Sequence, residues 1–565
     1  MIRSGLGVAG LGLMLAACAN STGDPASALE SAPAEISTSN MSEIVRVMAS
    51  DEFEGRAPGT EGETRTVAYL IDQFKAIGLE PGGRNGAWTD PVTLNHSVIT
   101  DVNTLNVTGA DGTLIDLQQG RDIEISSANA RPDISVEDAP IVFVGFGASA
   151  PERGWDDYGD ADLTGKVALF LVNDPDFGVA DDHPAAGLFG GKRMTYYGRW
   201  AYKFEEAARR GAVAALVIHE TEAAGYGWNV AASSPGENYA VASGASAKQS
   251  VDLQGWLHGD MASQWLSAAG QDLDALRTAA RLPDFEAFTL DGLTFNADLD
   301  LSIETIESQN VLGKITGTTR PDEVIMLSGH WDAYGTGEPD AQGRTVMPGA
   351  NDDALGLAGI MEIARVINED GPAPERSIVL AAWTAEESGL LGSEAYAMDP
   401  IYPLETTVAN FTLDILQTAG PARDVIQVGE GQSELEDMMA DAAAAQGRYV
   451  SPEGLPQNGL FYRADHFSLA RRGVPVLLIM GISGGADLVD GGREAGDAWV
   501  KDYIDNKYHN QNDAWDADWD LRGAAQDVAL ILDLTRNLAN SDTWPQIKDS
   551  SEFKDAREAS ADARN

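Results

Sequence analysis

Residues 323–332 read Glu-Val-Ile-Met-Leu-Ser-Gly-His-Trp-Asp, a short apolar run that ends in an imidazole and a carboxylate. The run has the length and composition of a strand that is buried on both faces, as strands of parallel sheets are. Its polar end then falls at the carboxyl edge of the sheet, where open parallel sheets bind their ligands. His330 and Asp332 are therefore candidate site residues.

Two further apolar runs end in acids in the same way. Residues 377–384 run into Glu386 and Glu387, and residues 408–413 run into Asp414. Between the first two strands, residues 353–367 carry apolar side chains at helical spacing, as a helix that crosses over a sheet does. This order predicts an α/β fold with a mixed, mostly parallel, doubly wound sheet, and it brings the acids to one edge of that sheet.

Five separated positions supply the side chains that zinc prefers. Zinc binds imidazole nitrogen and carboxylate oxygen, and a pair of zinc ions needs one carboxylate that both share, with one or two more ligands on each side. Taken singly, most of these positions have structural explanations, such as a helix cap at Asp352 or a solvated helix start at Glu386 and Glu387. Asp414 is harder to explain so, because an acid in a buried apolar run is costly unless it is paired or bound to metal. Together the five positions predict a site for two zinc ions; they are His330 with Asp332, Asp352 with Asp353, Glu386 with Glu387, Asp414, and His509.

From about residue 49 to about residue 540, this pattern resembles the co-catalytic di-zinc exopeptidases, peptidase family twenty-eight. That family includes secreted bacterial aminopeptidases, glutamate carboxypeptidase and the transferrin receptor ectodomain. The resemblance implies the zinc exopeptidase fold. It assigns His330 and Asp414 to one zinc, Glu387 and His509 to the other, and Asp352 to both.

The same resemblance implies roles for residues that hold no metal. Glu386 would be the general base that takes a proton from the water shared by the two zinc ions, and Tyr508 would help to hold the oxyanion. The bond between Asp352 and Asp353 would be a cis peptide bond.

Three side chains are expected to lie next to the metal ligands without binding metal themselves. A ligating imidazole usually gives its other N–H to a carboxylate, so Asp332 is expected to orient His330. Asp513, one helical turn past His509, is expected to do the same for that histidine. His466 lies in Tyr-Arg-Ala-Asp-His, residues 462–466, which resembles a family segment before the last strand at 474–479. We expect His466 to lie behind the ligands or beside the substrate, without binding metal.

The N-terminus predicts the compartment. Arg3 is followed by an apolar run over residues 6–17, which is too short to span a membrane but fits an export signal. Residues 15–18, Leu-Ala-Ala-Cys, resemble a bacterial lipobox. We therefore expect a lipoprotein signal peptide over 1–17, a lipidated Cys18, a flexible tether over 18–40, and a location on the periplasmic side of the envelope at the outer membrane. An ordinary secretory peptide is the alternative, and the sole cysteine, Cys18, excludes an intrachain disulfide.

Charge limits the partners. The chain has 88 acidic residues against 38 Lys and Arg, which gives a net charge of -50. Binding of nucleic acid or anionic lipid depends on clustered Lys and Arg, so neither is an expected partner, and the only expected membrane contact is through Cys18. Peptides are the expected substrates.

A second domain interrupts the predicted catalytic one. Apolar runs at 140–146 and 165–172, a helix at 203–210 and a further run at 211–218 give the order strand, strand, helix, strand. This resembles the β-rich α+β protease-associated domain that is inserted in this family. The predicted organisation is a catalytic N-terminal part over 41–119, the insert over 120–285, the main catalytic part over 286–545 and a disordered tail over 546–565.

The resemblance implies an exported zinc-dependent exopeptidase, and an aminopeptidase is favoured because a strongly acidic chain attracts an α-ammonium group. A carboxypeptidase of the glutamate carboxypeptidase type is the nearest alternative, with Arg463 or Arg471 receiving a carboxylate. A single-zinc acyltransferase like glutaminyl cyclase and a non-catalytic binding ectodomain are two others. The complete ligand set argues against the first of these, and retention of Glu386 argues against the second.

Overall fold

The structure, a computed structural model, describes residues 35–242, 250–369 and 372–564. The predicted signal peptide, Cys18 and most of the predicted tether lie outside these residues. The strands are β1 (Glu80–Pro81), β2 (Thr89–Thr108), β3 (Leu114–Asp116), β4 (Ile123–Ser126), β5 (Asp133–Gly145), β6 (Ser149–Ala150), β7 (Trp155–Asp156), β8 (Val167–Leu171), β9 (Ala214–His219), β10 (Glu237–Val241), β11 (Leu253–His258), β12 (Phe288–Ile315), β13 (Arg320–His330), β14 (Gly335–Thr336), β15 (Val346–Met347), β16 (Arg376–Trp383), β17 (Thr407–Leu413), β18 (Asp424–Gln427), β19 (Tyr449–Pro452) and β20 (Val476–Ile479).

The helices are α1 (Thr38–Met48), α2 (Glu61–Ile77), α3 (Trp200–Arg209), α4 (Thr221–Ala224), α5 (Trp228–Ala231), α6 (Gly259–Ala268), α7 (Leu273–Ala280), α8 (Leu355–Glu369), α9 (Leu391–Met398), α10 (Leu435–Ala445), α11 (His466–Ala470), α12 (Gly492–Asn506), α13 (Arg522–Ala539) and α14 (Lys554–Ala559). In the part of the chain that the structure describes, no helix combines the length and apolar composition needed to cross a membrane.

One large mixed sheet runs through the molecule. Its main path follows the order β20-β17-β13-β16-β12-β5-β8-β9-β11-β4. β13 pairs in parallel with β16 and β17, and β17 pairs in parallel with β20. These strands are the predicted apolar runs, so their carboxyl ends meet at one edge. The predicted mixed, mostly parallel α/β fold is confirmed.

The helices α8, α1 and α13 cover one face of the parallel strands. α8 contacts β13, β16 and β17, and both α1 and α13 pack against it. Most of α8 is buried, which its apolar spacing predicts. The predicted tether ends earlier than expected, because Ile36 is buried and Ser37 caps α1 by accepting a hydrogen bond from the backbone N–H of Asn40.

The second half of the sheet has its own core. β5, β8, α3 and β9 follow the predicted order of strand, strand, helix, strand, and β8, β9 and β11 are parallel. Its core also includes Leu105, Val107 and Leu301, which lie outside residues 120–285. The long strands β2 and β12 are the reason, because they pair along most of their length and continue from one half of the sheet into the other.

The C-terminal tail differs from the prediction of disorder. α14 forms there, and Phe553 and Arg557 are buried. Glu552 accepts hydrogen bonds from the backbone N–H of Tyr196, at 3.0 Å, and from the hydroxyl of Tyr462, at 2.6 Å. The prediction from charged composition was wrong because a few apolar anchors suffice to dock a short segment on an existing surface.

We predict that Phe553→Ala lowers the free energy of unfolding by about 3–5 kcal/mol, as truncation of a buried aromatic ring does. Phe553 packs near the rings of Phe467 and Tyr196, with centroids 6.0 and 6.2 Å away. Urea-induced unfolding measures the change, and Asp555→Ala, at an exposed position of the same tail, is the control. Equal stability of the two variants would contradict a docked tail.

Candidate metal centre

The sheet edge brings the predicted ligands together. His330 is the last residue of β13, Glu386 and Glu387 follow β16, and Asp414 follows β17 directly. The four side chains come from three adjacent parallel strands, as the sequence predicts. Asp352 approaches them from the turn that precedes α8.

Asp352 lies between the two imidazoles. Its Oδ1 atom is 3.1 Å from Nε2 of His330, and its Oδ2 atom is 3.4 Å from Nε2 of His509. Nε2 of His509 is also 3.4 Å from Oε2 of Glu387. Each oxygen of one carboxylate thus faces a different histidine, which is the arrangement of a carboxylate shared by two metal ions.

Two overlapping groups of side chains have the spacing of metal ligands. One group is His330, Asp352 and Glu387, and the other is His330, Glu386 and Asp414. Within each group the candidate ligand atoms all lie within 4.8 Å of one another. All donors are imidazole nitrogen or carboxylate oxygen, a set that suits zinc.

Burying these charged acids costs free energy unless a cation neutralises them. Burial raises the pKa of Glu386 and of Glu387 well above its usual range, and burial together with the charge of Asp352 raises the pKa of Asp414 to about 8. Burial would raise the pKa of Asp352 too, but hydrogen bonds from His330 and His509 hold it below its usual value. Several buried carboxylates of like charge are tolerated when a metal ion neutralises them. The residues therefore fit a metal.

Asp332 supports the centre through two different groups. Its backbone carbonyl lies 3.1 Å from Nδ1 of His330, whereas its carboxylate is 3.6 Å from that nitrogen. The carboxylate instead accepts the backbone N–H groups of Glu386, at 3.1 Å, and Glu387, at 3.3 Å. His330 is therefore oriented by the backbone carbonyl of Asp332 and not, as was expected, by its carboxylate, because the carboxylate fixes the loop that carries the two glutamates.

Asp513 has a different partner from the predicted one. Its carboxylate accepts the backbone N–H groups of Asn351, at 3.1 Å, and Asp352, at 3.0 Å. The hydroxyl of Tyr334 lies 2.9 Å from Nδ1 of His509, where Asp513 was expected. The expectation assumed a helix through 509–513, but His509 has a φ of 60° and the segment forms turns. Asp513 thus positions Asp352 through its backbone.

The loop around Asp352 is held by buried groups. The peptide bond between Asp352 and Asp353 is cis, as the resemblance implies. The carboxylate of Asp353 accepts the backbone N–H of His330 at 3.1 Å and that of Gly356 at 3.0 Å. It therefore joins the start of α8 to the end of β13.

Arg56 is a further restraint that the sequence did not indicate. Its guanidinium is fully buried and donates to the backbone carbonyls of Met48 (3.0 Å), Trp331 (2.7 Å), Pro348 (2.5 Å) and Gly349 (2.7 Å). It thereby joins the segment before Asp332 to the segment before Asp352. Arg56 is far from the metal-centre residues in sequence and lies in no motif. Tyr334 was also missed, although it lies only two residues after Asp332.

His466 is a core residue. It is fully buried, and its ring meets that of Phe461 edge-on with centroids 4.9 Å apart. Burial lowers the pKa of His466 to about 3, so the imidazole is neutral. It lies behind the site and is not among the residues that line the cavity beside the metal centre.

That cavity has a volume of about 570 Å³ and is bounded by both halves of the molecule. The catalytic half contributes the acids of the metal centre, Arg463 and Tyr508, and the second half contributes Arg199 and Tyr239. Burial raises the pKa of Tyr508 well above its usual value, so its hydroxyl keeps its proton at neutral pH. The cavity places a proton donor and cationic groups beside the centre.

Parts of the chain are similar to known proteins. Residues 310–532 match the family described as Peptidase family M28. The Glutamate carboxypeptidase 2 homolog of Caenorhabditis briggsae is 35% identical over 132 residues, which are 22% of this chain and 15% of that protein. Aminopeptidase NAALADL1 of Mus musculus is 36% identical over 118 residues, which are 20% of this chain and 14% of that protein. An aminopeptidase from Aneurinibacillus sp. strain AM-1 has a TM-score of 0.46 and 19% identity, covering 89% of this chain and 94% of its own.

We predict that Asp352→Asn lowers the amount of bound metal, because a neutral amide cannot neutralise a cation held between the two imidazoles. Metal per protein is measured by elemental analysis after incubation with zinc and removal of excess. Asp518→Asn, at an exposed position, serves as the matched control. An Asp352→Asn variant that retains the wild-type metal content would contradict the shared position of this carboxylate.

Proposed function

We propose that this chain, whose residues 310–532 belong to peptidase family M28, is a zinc-dependent exopeptidase that removes residues from the free N-terminus of peptides. The observation that carries the proposal is the position of Asp352 between His330 and His509, with Glu386 beside them. The proposal extends to two zinc ions, held by the five predicted ligands. The matched part of this chain spans only 14–15% of the two curated relatives described above, so the activity itself is proposed.

When bound, a pair of zinc ions supplies Lewis-acid chemistry, which lowers the pKa of water towards neutrality and polarises the scissile carbonyl. Glu386 would act as the general base. Its Oε2 atom is 3.9 Å from Nε2 of His330, and its backbone N–H is fixed by Asp332. A carboxylate so placed can take a proton from the attacking water and pass it to the leaving amine.

Tyr508 is suited to stabilise the negative charge that develops on the carbonyl oxygen. It lines the cavity beside His509, with ring centroids 3.5 Å apart, and its hydroxyl stays protonated. A preorganised donor in a site that excludes water favours the transition state over the ground state.

We predict that Glu386→Gln retains bound metal and loses about 10² to 10⁴ in kcat, because the amide can hydrogen-bond but cannot accept a proton. Rates are measured with short peptides at equal metal content, and Glu494→Gln, at an exposed position of α12, is the control. Near-normal turnover by a metal-loaded Glu386→Gln enzyme would refute this role.

The charge of the chain is the basis for proposing which end of the peptide is cleaved. The net charge of -50 gives an α-ammonium group a favourable field and a carboxylate an unfavourable one. Charges farther than about 8 Å are largely screened at physiological salt, so groups in the cavity decide. Arg471 forms ion pairs with Glu205, at 2.9 Å, and with Glu394. Its charge therefore already has acidic partners. A carboxypeptidase is the second candidate, because in it Arg463 would receive the carboxylate of the peptide.

We predict that N-acetylation of a peptide abolishes its cleavage. The measurement compares a free peptide, its N-acetylated form and its C-amidated form under identical conditions. Cleavage of the acetylated peptide together with loss on amidation would favour the carboxypeptidase.

The compartment is also proposed. Export to the periplasmic side of the envelope and anchoring through a lipidated Cys18 are supported by the apolar run at 6–17 and the lipobox-like residues that end it. Nothing in this proposal depends on nucleic acid, for which the acidic charge is unsuitable.

A further inference from the structure

The strand β10 has a free edge. In the described part of the chain, β10 pairs with β2 alone, and the pair is antiparallel. Successive residues of an antiparallel strand alternate between bonding to the partner strand and pointing their N–H and C=O groups away from it. Gly236 accepts a backbone N–H of β2 at 3.0 Å, and Ala242 donates its own N–H to β2 at 2.8 Å. The alternation therefore turns the backbone groups of Tyr239 and Val241 away from β2.

These outward groups face the cavity without partners. Among the residues that the structure describes, neither the N–H nor the C=O group of Tyr239 or Val241 forms a hydrogen bond. Residues 238–241 all line the cavity beside the metal centre. Side chains alternate between the two faces of a strand, so four consecutive residues that border one cavity indicate that the edge of the strand faces it.

An apolar cluster joins β10 to the loop of the proposed general base. Tyr239 and Val241 pack against buried side chains that include Ala385 and Leu391. Ala385 directly precedes Glu386, which lines the same cavity. The free edge of β10 and the proposed base therefore border one space.

The strand β10 runs towards the catalytic half of the molecule. Thr89, the first residue of β2, pairs with β12 at the point where β12 pairs with β16. Val241 lies opposite Leu94 of β2, whereas Glu237 lies opposite Val98, which is farther from that point. The Val241 end of β10 is therefore the end nearer to the strands that carry the metal centre.

We propose that the free edge of β10 binds the backbone of the peptide substrate by strand addition, so that the preferred substrates are extended peptides of several residues. The inference rests on the proposed peptidase function and specifies how the substrate is held beyond the cleaved bond. Main-chain hydrogen bonds to a sheet edge give affinity without demanding a particular side chain. A peptide whose N-terminus lies at the metal centre would run antiparallel to β10.

The size of the cavity favours a single extended chain as the occupant. A volume of about 570 Å³ falls in the range of pockets that enclose a drug-sized ligand. It accommodates a short peptide but not the folded edge of a second copy of this chain. In antiparallel addition, Tyr239 and Val241 would each exchange hydrogen bonds with one peptide residue, and these two peptide residues would themselves be two positions apart.

Methylation of single peptide nitrogens tests this pattern on the wild-type enzyme. The probes are hexa-alanine and four derivatives that are methylated on the nitrogen of the third, fourth, fifth or sixth residue. Each methyl group removes one N–H donor and leaves the side chains unchanged. We expect kcat/KM to fall about 10-fold, near the worth of one net hydrogen bond, at two positions that differ by two, and to change little at the position between them.

A proline substitution tests the same contact from the side of the protein. Val241→Pro removes one outward N–H and spares the bonds to β2, and proline is tolerated on a strand where its nitrogen faces away from the ladder. The measured quantity is the ratio of kcat/KM for hexa-alanine to that for di-alanine, which does not depend on the yield of folded protein. We expect Val241→Pro to lower this ratio about 10-fold. Val241→Ala loses the same side chain but keeps the N–H, and should lower the ratio less.

Leu114→Pro is the matched control. β3 also pairs with β2 alone in the described part of the chain, and Leu117 donates its backbone N–H to β2 at 3.0 Å. The same alternation turns the N–H of Leu114 outward. Leu114 is exposed and is not among the residues that line the cavity. This variant should therefore keep the wild-type ratio.

The outcomes separate the two proposals. Equal sensitivity to methylation at all four positions, or a wild-type ratio in Val241→Pro, would overturn strand addition and leave the peptidase intact. A dimer in light scattering that Val241→Pro abolishes would assign the edge to a second copy of the chain, which also overturns the inference. A metal-loaded wild-type enzyme that cleaves neither hexa-alanine nor di-alanine would overturn the proposed function, and the inference with it.

Discussion

Repulsion among buried carboxylates is the constraint on which the rest of this structure depends. The parallel strands β13, β16 and β17 end side by side, and each delivers acids to the same small volume. Such a cluster is unfavourable in a protein interior unless cations neutralise it and hydrogen bonds fix it. The proposed metal ions provide the first, and a shell of buried polar groups provides the second.

That shell restrains backbone as much as side chains. Asp332 holds the N–H groups of Glu386 and Glu387, and Asp513 holds those of Asn351 and Asp352. Arg56 adds a positive charge that four carbonyls share. Because the loops that carry Asp352, Glu386 and Glu387 are fixed through their backbone, the cost of organising the site is lowered.

The second half of the molecule acts on the same volume from the opposite side. Through Arg199 and Tyr239 it closes a cavity that the catalytic half alone would leave open. Glu552, in the docked tail, joins Tyr196 of the second half to Tyr462 of the catalytic half, directly before Arg463. The wall of the cavity therefore depends on contacts among three distant parts of the chain.

The sequence by itself determined the strands, the crossover helix and the meeting of acids at one edge of the sheet, because apolar runs that end in acids carry this information locally. It also indicated the cis bond through resemblance. Only the tertiary structure decided that Asp513 faces Asp352 and not His509, because a turn replaces the assumed helix, and that the tail docks. The role of Arg56 was likewise invisible in sequence, since it depends on which carbonyls lie near its guanidinium, and no local spacing encodes that.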